Sequence, residues 1–296
     1  MKNKYLVVIN PGSGHGKGPA IAERLVQMAD FDESGSDVII TKYKDHAVEI
    51  VNTCDLNKYV ALIVLGGDGT IHEVINGMLK RKDQTKIPIG AIPAGTGNSL
   101  LHDFDCTDAD ESIRRIFDGA TRKVDVLKIR YDEHCLYSVN MVGCGLPAVV
   151  NHYAGKLRIL KSQRYNAGAI WAIVRHKSMC MEVDVPGLDD IIVSDFVLGS
   201  NTVHVGTGLK AAPAALTDDG LLDLFILKPG GRASTARIFS ELLRGTHLAN
   251  PRVVCMQVSE FSVASKEEAQ LNIDGENYRF SRLNVSVLPE EIDFLL

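Results

Sequence analysis

The chain has 296 residues, 45% of them hydrophobic and 23% charged, and a formal net charge of −5. That length suggests two domains with sizeable cores, and the acidic balance speaks against general nucleic-acid binding and gives no electrostatic reason for constitutive attachment to an anionic membrane. No apolar run approaches the roughly 20 residues that cross a bilayer, no signal peptide is visible, and six scattered cysteines with no C-x-x-C pair describe a reduced intracellular protein, not a disulfide scaffold or a zinc site.

In chain order, strands are expected at 5–9, 38–41, 61–65 and 89–92, and helices near 19–29, 45–53, 71–80 and 108–118. Such alternation implies a doubly wound parallel sheet. Three of these strands run into glycine-rich turns. Tyr5–Ile9 leads into Asn10-Pro-Gly-Ser-Gly-His-Gly-Lys-Gly18, Tyr59–Leu65 into Gly66-Gly-Asp-Gly-Thr70, and Ile89–Ile92 into Pro93-Ala-Gly-Thr-Gly-Asn98. Strand C-termini of a parallel sheet share one edge, where ligands bind. A glycine turn that opens a helix exposes N–H groups to phosphate. Neither common nucleotide fingerprint fits the first turn: Gly18 follows Gly16-Lys17 where Walker A needs Ser or Thr, and Lys17 stands at the last glycine position of G-x-G-x-x-G. Asp68 is the unusual residue, because a carboxylate repels phosphate unless it holds a metal ion or takes a proton. Together the turns and the acid suggest phosphoryl transfer.

From about Lys123 the texture changes, giving domains at 1–123 and 124–296, the last residues possibly returning to the first. Strands are expected at 124–130, 136–141, 178–183, 191–198, 221–227, 253–258 and 271–273, with helices only around 157–176 and 234–244. Several strands alternate apolar and polar residues, as half-buried antiparallel strands do, and the reading is a β-sandwich-like second domain with the active site in the cleft between the two. Asp219-Gly220 and Asp274-Gly275 each have an ordinary reading as β-turns.

With these residues the chain resembles the diacylglycerol kinase catalytic superfamily, which includes sphingosine kinases and bacterial soluble lipid kinases. The resemblance runs nearly end to end; its markers are Gly66–Thr70 with Glu73, Pro93–Asn98 and Asp274-Gly275-Glu276, and the spacer from Gly77 to Pro88 and the segment Gly145–Tyr165 look closest to the sphingosine kinase branch. It implies an ATP site made by Asn10, Gly12, Ser13, Gly14, Lys17, Thr41 (with His46-Ala47 on the adenosine side), Gly67, Gly69, Thr70, Glu73, Gly95, Thr96, Gly97, Arg158 and Arg164. It also implies a Mg²⁺ site at Asp219 with the carbonyls of Leu216 and Leu221, and Mg²⁺-bound ATP as phosphoryl donor. Two assignments of the general base stay open: Asp68, as in sphingosine kinases, or Glu276 beside Asp274, as in bacterial relatives. Asp68 is favoured, with Asp274 and Glu276 organising Mg²⁺-ATP.

The chain departs from the pattern at Asn151, which stands where sphingosine kinases carry an acid for the sphingoid head; an amide can bind a hydroxyl but cannot pair with an ammonium group. This leaves room for a neutral lipid such as diacylglycerol or ceramide. Apolar residues around Met141–Val150 and on the 157–176 helix could line an acyl pocket, or could simply be core. The expectation is a cytoplasmic lipid kinase, transiently at a membrane surface, with a homodimer left open. The rivals are a kinase of a soluble acceptor on the NAD kinase-like fold, and a catalytically silent lipid or nucleotide sensor.

Overall fold

A computed structural model describes residues 3–15, 18–27, 35–95, 97–145, 149, 180–205 and 209–296. The chain divides into two compact units, Met1–Val126 with Glu290–Leu296, and Leu127–Pro289.

In the first unit β1 (Tyr5–Ile9), β2 (Asp37–Ile40), β3 (Ala61–Gly66) and β4 (Ile89–Pro93) lie parallel in the order β4-β3-β1-β2. Side chains alternate across a strand, so each β-branched run feeds both faces of the sheet. On one face Tyr5, Val7, Ile9, Ile63 and Leu65 meet Ile21 and Leu25 of α1 (Gly18–Gln27) and Ile113 and Ile116 of α5 (Ala109–Asp118). Leu6, Val8, Leu62 and Val64 are equally buried on the other face. There α3 (Asp68–Leu79) packs on β3 and against α2 (His46–Thr53). The sheet is therefore doubly wound. The crossover from β2 to β3 returns past β1, which makes the β1/β3 gap the point where strand order reverses and where ligands of such sheets bind. The short α4 (Ser99–Asp103) follows β4. Asp108 caps α5 by accepting the Asp110 and Glu111 N–H groups, and Gly119 ends it at φ 76. The chain's last residues complete this unit: Phe294 and Leu295 pair in parallel with Ile89 and Gly90, and Leu296 N–H donates to Ala120 at 3.0 Å.

The second unit is antiparallel. β7 (Met141–Gly145), β10 (Phe196–Ser200), β13 (Leu222–Leu227) and β14 (Val253–Val258) pair in sequence, and β15 (Glu260–Ile273) and β16 (Glu276–Leu295) form a long ribbon. A register shift between Ala264 and Ala269 divides β15. Before it, Ser262–Ala264 pair with β8 (Met181–Asp184); after it, Leu271–Ile273 pair with β7. One strand thus serves two partners across an irregularity, as strands do at sandwich corners. Between them lie Val142, Cys144, Val197, Ile226, Leu271 and Phe280, all in one buried cluster. β5 (Thr121–Tyr131) pairs with β16 and β6 (His134–Ser138), and β9 (Ile192–Ser194) pairs with β8. β11 (His204–Val205) and β12 (Leu209–Lys210) make a two-stranded pair, and α6 (Arg232–Leu243) follows β13.

The run expected as a single strand at 191–198 is divided at Asp195, whose N–H turns to the Leu227 carbonyl at 3.1 Å. The strand expected at 271–273 is the end of the 14-residue β15, and β16 had no sequence counterpart, because exposed polar residues such as Lys266–Glu268 hide the ribbon's apolar face. The helix expected at 157–176 lies outside the described residues.

Candidate active site

All three glycine turns meet at the reversal point of the first unit. Asn10 ties the first turn to the second: its Nδ2 donates to Thr70 Oγ1 at 3.0 Å, while its Oδ1 accepts the Gly12 N–H at 3.0 Å. The second turn touches the third backbone to backbone. A Cβ on Gly95 would stand 2.6 Å from the Gly67 Cα, and one on Gly14, at φ 58, would stand 1.9 Å from the Ala94 carbonyl oxygen. Only glycine allows such approaches. Asn98, in the left-handed region at φ 51, closes the third turn on itself: its Nδ2 donates to the Gly95 carbonyl at 3.1 Å and its Oδ1 accepts the Gly95 N–H at 3.2 Å.

Gly67 caps α3 with no side chain, and its carbonyl accepts the Thr70 and Ile71 N–H groups at 2.9 and 3.1 Å, so the helix start is bare of side-chain caps. Asp68 is the first helical residue, and its Oδ1 accepts the Ser99 N–H at 2.7 Å, joining the second turn to α4. Gly69 has open space where a Cβ would be. The arrangement is a backbone-lined cradle for anionic oxygens with one carboxylate in its floor. Thr41 is buried beside it, its N–H on the Ile9 carbonyl at 2.8 Å.

Glu73 does something its position in α3 alone does not reveal. Its Oε2 accepts the Ala47 N–H at 3.1 Å, so it caps α2, whose own N-cap residue Asp45 makes no side-chain cap. Half-burial pushes its carboxyl up from the usual range, against the opposing pull of the Asp45 and Ala47 N–H groups.

In the second unit Asp274 and Gly275 form the two-residue turn between β15 and β16, both at positive φ (49 and 94), as a type I′ hairpin requires. The turn reading and the functional one coexist here. Asp274 is only 8% exposed; its Oδ1 accepts the Ser138 hydroxyl at 2.5 Å and the Met141 N–H at 3.1 Å. Glu276 opens β16. Asn140, next to Ser138 in space and 3% exposed, has a buried Oδ1 with no hydrogen-bond partner among the described residues. Asp219 is exposed on a separate turn, its Oδ1 accepting the Leu221 N–H at 3.0 Å. Burial, and to a lesser degree the Asp219 charge, raises the carboxyl of Asp223. Asp219 with the Leu216 and Leu221 carbonyls is an oxygen-only donor set on a solvent-facing turn, which fits a hard divalent cation that keeps several waters. No cluster of three His, Cys, Asp or Glu side chains capable of holding a metal occurs among the described residues.

A second feature went unread in the sequence. Beneath α6 lies an apolar cavity of about 50 Å³, lined by Phe196, Leu198, Phe225, Ile238, Leu242 and His247 among others. The His247 Nε2 meets the Ala211 carbonyl at 3.1 Å, and burial lowers its pKa. The sequence analysis placed a helix at 234–244 but no gap beneath it. Asn98, Ser99, Ser138 and Asn140 also lay outside the expected site set; only Asn98, a polar residue suited to the left-handed region, carried a local signal. Of the expected residues, Lys17, Thr96, Arg158, Arg164 and Asn151 lie outside the described residues.

Residues 4–129 match the diacylglycerol kinase catalytic domain, and residues 140–296 match the YegS C-terminal NAD kinase beta sandwich-like domain. Sphingosine kinase 1 of Arabidopsis thaliana is 28% identical over 87% of this chain, which spans 63% of that protein's length. The diacylglycerol kinase of Staphylococcus epidermidis strain RP62A is 27% identical over 93% of this chain and 86% of its own. Among solved structures, a diacylglycerol kinase from Bacillus anthracis str. Sterne superposes with a TM-score of 0.73 at 17% identity, covering 99% of this chain and 96% of that one. An NAD kinase from Archaeoglobus fulgidus in complex with ATP superposes with a TM-score of 0.54 at 12% identity, covering 99% and 93%. The fold is that of a diacylglycerol kinase catalytic domain followed by an NAD kinase beta sandwich-like domain. More narrowly, the chain belongs to the lipid kinase family that holds the diacylglycerol and sphingosine kinases.

Proposed function

We propose that the protein transfers the γ-phosphoryl group of ATP to a primary hydroxyl of a diacylglycerol or sphingoid-type lipid. The observation that carries this reading is the convergence of three glycine turns on the uncapped start of α3, with Asp68 in the floor. Backbone N–H groups there neutralise phosphate charge, and Asn10 and Thr70 hold the turns in register. In the step itself a bond forms between the acceptor oxygen and the γ-phosphorus, the bond from that phosphorus to the bridging oxygen breaks, and ADP leaves. Asp68 takes the hydroxyl proton, and its Ser99 contact orients the carboxylate. Asp274, held by Ser138 and Met141, orients the turn that presents Glu276. Mg²⁺, when bound, supplies charge neutralisation on the phosphates; Asp219 with the Leu216 and Leu221 carbonyls would hold a supporting ion.

Lipid as acceptor is supported by the relatives, which are named sphingosine and diacylglycerol kinases; the cavity under α6, at about 50 Å³, is too small for an acyl chain. The unpartnered Asn140 Oδ1 is a buried acceptor suited to a donor such as a lipid hydroxyl. No helix among the described residues is long and apolar enough to cross a membrane; the enzyme would meet its lipid as a cytoplasmic protein at the membrane surface.

The test is transfer of label from γ-labelled ATP, with Mg²⁺, to micellar diacylglycerol, ceramide or sphingosine. Label is expected in one of them, and Asp68→Asn should lower the rate by about 10² to 10⁴. Label in none, with ATP still bound, would point to a soluble acceptor or a silent sensor; unchanged turnover in Asp68→Asn would move the base to Glu276.

A further inference from the structure

α2 has eight residues, too short to hold its place by helix propensity alone. Three residues on or just after α3 fix it. Glu73 caps its first turn, and Gly77 lets the helices touch: a Cβ there would stand 2.8 Å from the Val48 carbonyl oxygen. Asn52 Nδ2 donates to the Gly77 carbonyl at 3.3 Å. Arg81 takes the other end. Its Nη1 donates to the carbonyls of Val51, Asn52 and Cys54 at 2.5, 3.2 and 2.8 Å, closing the last turn of α2. Its Nε and Nη2 form a two-point fork on Asp83 at 2.8 and 2.5 Å, which pulls the Asp83 carboxyl down to about 2. Arg81 is 8% exposed, so these bonds replace the water it gave up.

α2 begins at the end of the Thr41–Ala47 segment, where Glu73 ties Ala47 to α3, the helix whose first residues form the second glycine turn. With phosphates in the glycine turns, as the proposed function has it, the nucleoside is the part left to meet this segment. We infer that Arg81 is a positioning residue for the nucleoside half of the ATP site. It acts along α2, roughly 12 Å of helix, by setting where the Thr41–Ala47 wall stands. Among the described residues no hydrogen bond of Arg81 reaches a glycine turn, so it acts on α2 and not on the phosphate cradle.

This inference rests on the ATP-site reading, and one experiment separates the two. Binding of ATP and of inorganic tripolyphosphate would be measured by calorimetry on the full chain, as wild type, Arg81→Met, Arg81→Lys and Asp83→Asn. Arg81→Met should weaken ATP about tenfold or more and leave tripolyphosphate within about twofold. Arg81→Lys, which keeps a cation for the carbonyls and loses the fork, should fall between; if Arg81→Met does not fold, this variant carries the test. Asp83→Asn should bind ATP nearly as wild type does, because the three carbonyl bonds remain. In turnover the loss should fall on KM for ATP and spare kcat. Equal weakening of both ligands, or of neither, overturns the inference while the ATP-site reading stands. A wild-type protein that binds neither ligand overturns both.

Discussion

Glu73 shows how one carboxylate can serve two structures. It belongs to α3 by sequence and to α2 by its hydrogen bond, and burial raises its folded pKa above the ordinary carboxyl value. A raised carboxyl pKa means that the charged form costs stability. The cost is absent below the unfolded value and fully present once pH exceeds the folded one. Glu73→Gln keeps an acceptor for Ala47 and removes the charge. It should therefore raise the urea midpoint at pH 8 and leave it unchanged near pH 4; an equal effect at both would mean that burial does not control this group. Neither the partner nor the burial was legible from Glu73 in the sequence, since Ala47 lies 26 residues away and across a helix interface.

Elements divide the glycines into two kinds. Gly95 and Gly14 are packing glycines, with backbone where a Cβ would go, whereas Gly69 faces open space in the first turn of α3. Gly95→Ala should destabilise the apo protein by about 1–3 kcal/mol through overpacking. Gly69→Ala should leave the apo protein as stable or up to about 1 kcal/mol more so, yet weaken ATP, because the new methyl enters the open space of the proposed phosphate cradle. Thermal melts with and without ATP distinguish the two, and an apo loss in Gly69→Ala would contradict this division. At this scale the sequence was informative: apolar runs ending in glycine located β1, β3, β4 and their turns. It missed α4, which has five residues, and most of the β15/β16 ribbon. Both are held by contacts remote in sequence and carry little local pattern.

The whole chain closes on itself. Phe294 is fully buried in the first unit, paired with Ile89 and 6.2 Å from the Phe104 ring, although 190 residues separate the two phenylalanines in number. Phe294→Ala should cost about 3–5 kcal/mol, read as a lower urea midpoint for the first unit and loss of ATP binding at that lower urea concentration. Retention of the midpoint would mean that the unit folds without its returning strand.

By itself the sequence determined the parallel nucleotide-type sheet, the three turns and the acid among them, because strand periodicity and glycine punctuation are local properties. It also carried the family, in the motifs Gly66–Thr70, Pro93–Asn98 and Asp274-Gly275-Glu276. Only the tertiary structure decided which glycines are required by packing, that Glu73 and Arg81 grip α2 from opposite ends, that Asp274 is sequestered by Ser138, and that a cavity lies under α6. Each of these is a contact or a gap between segments distant along the chain, set by how surfaces fit, and no local pattern of residues encodes that fit.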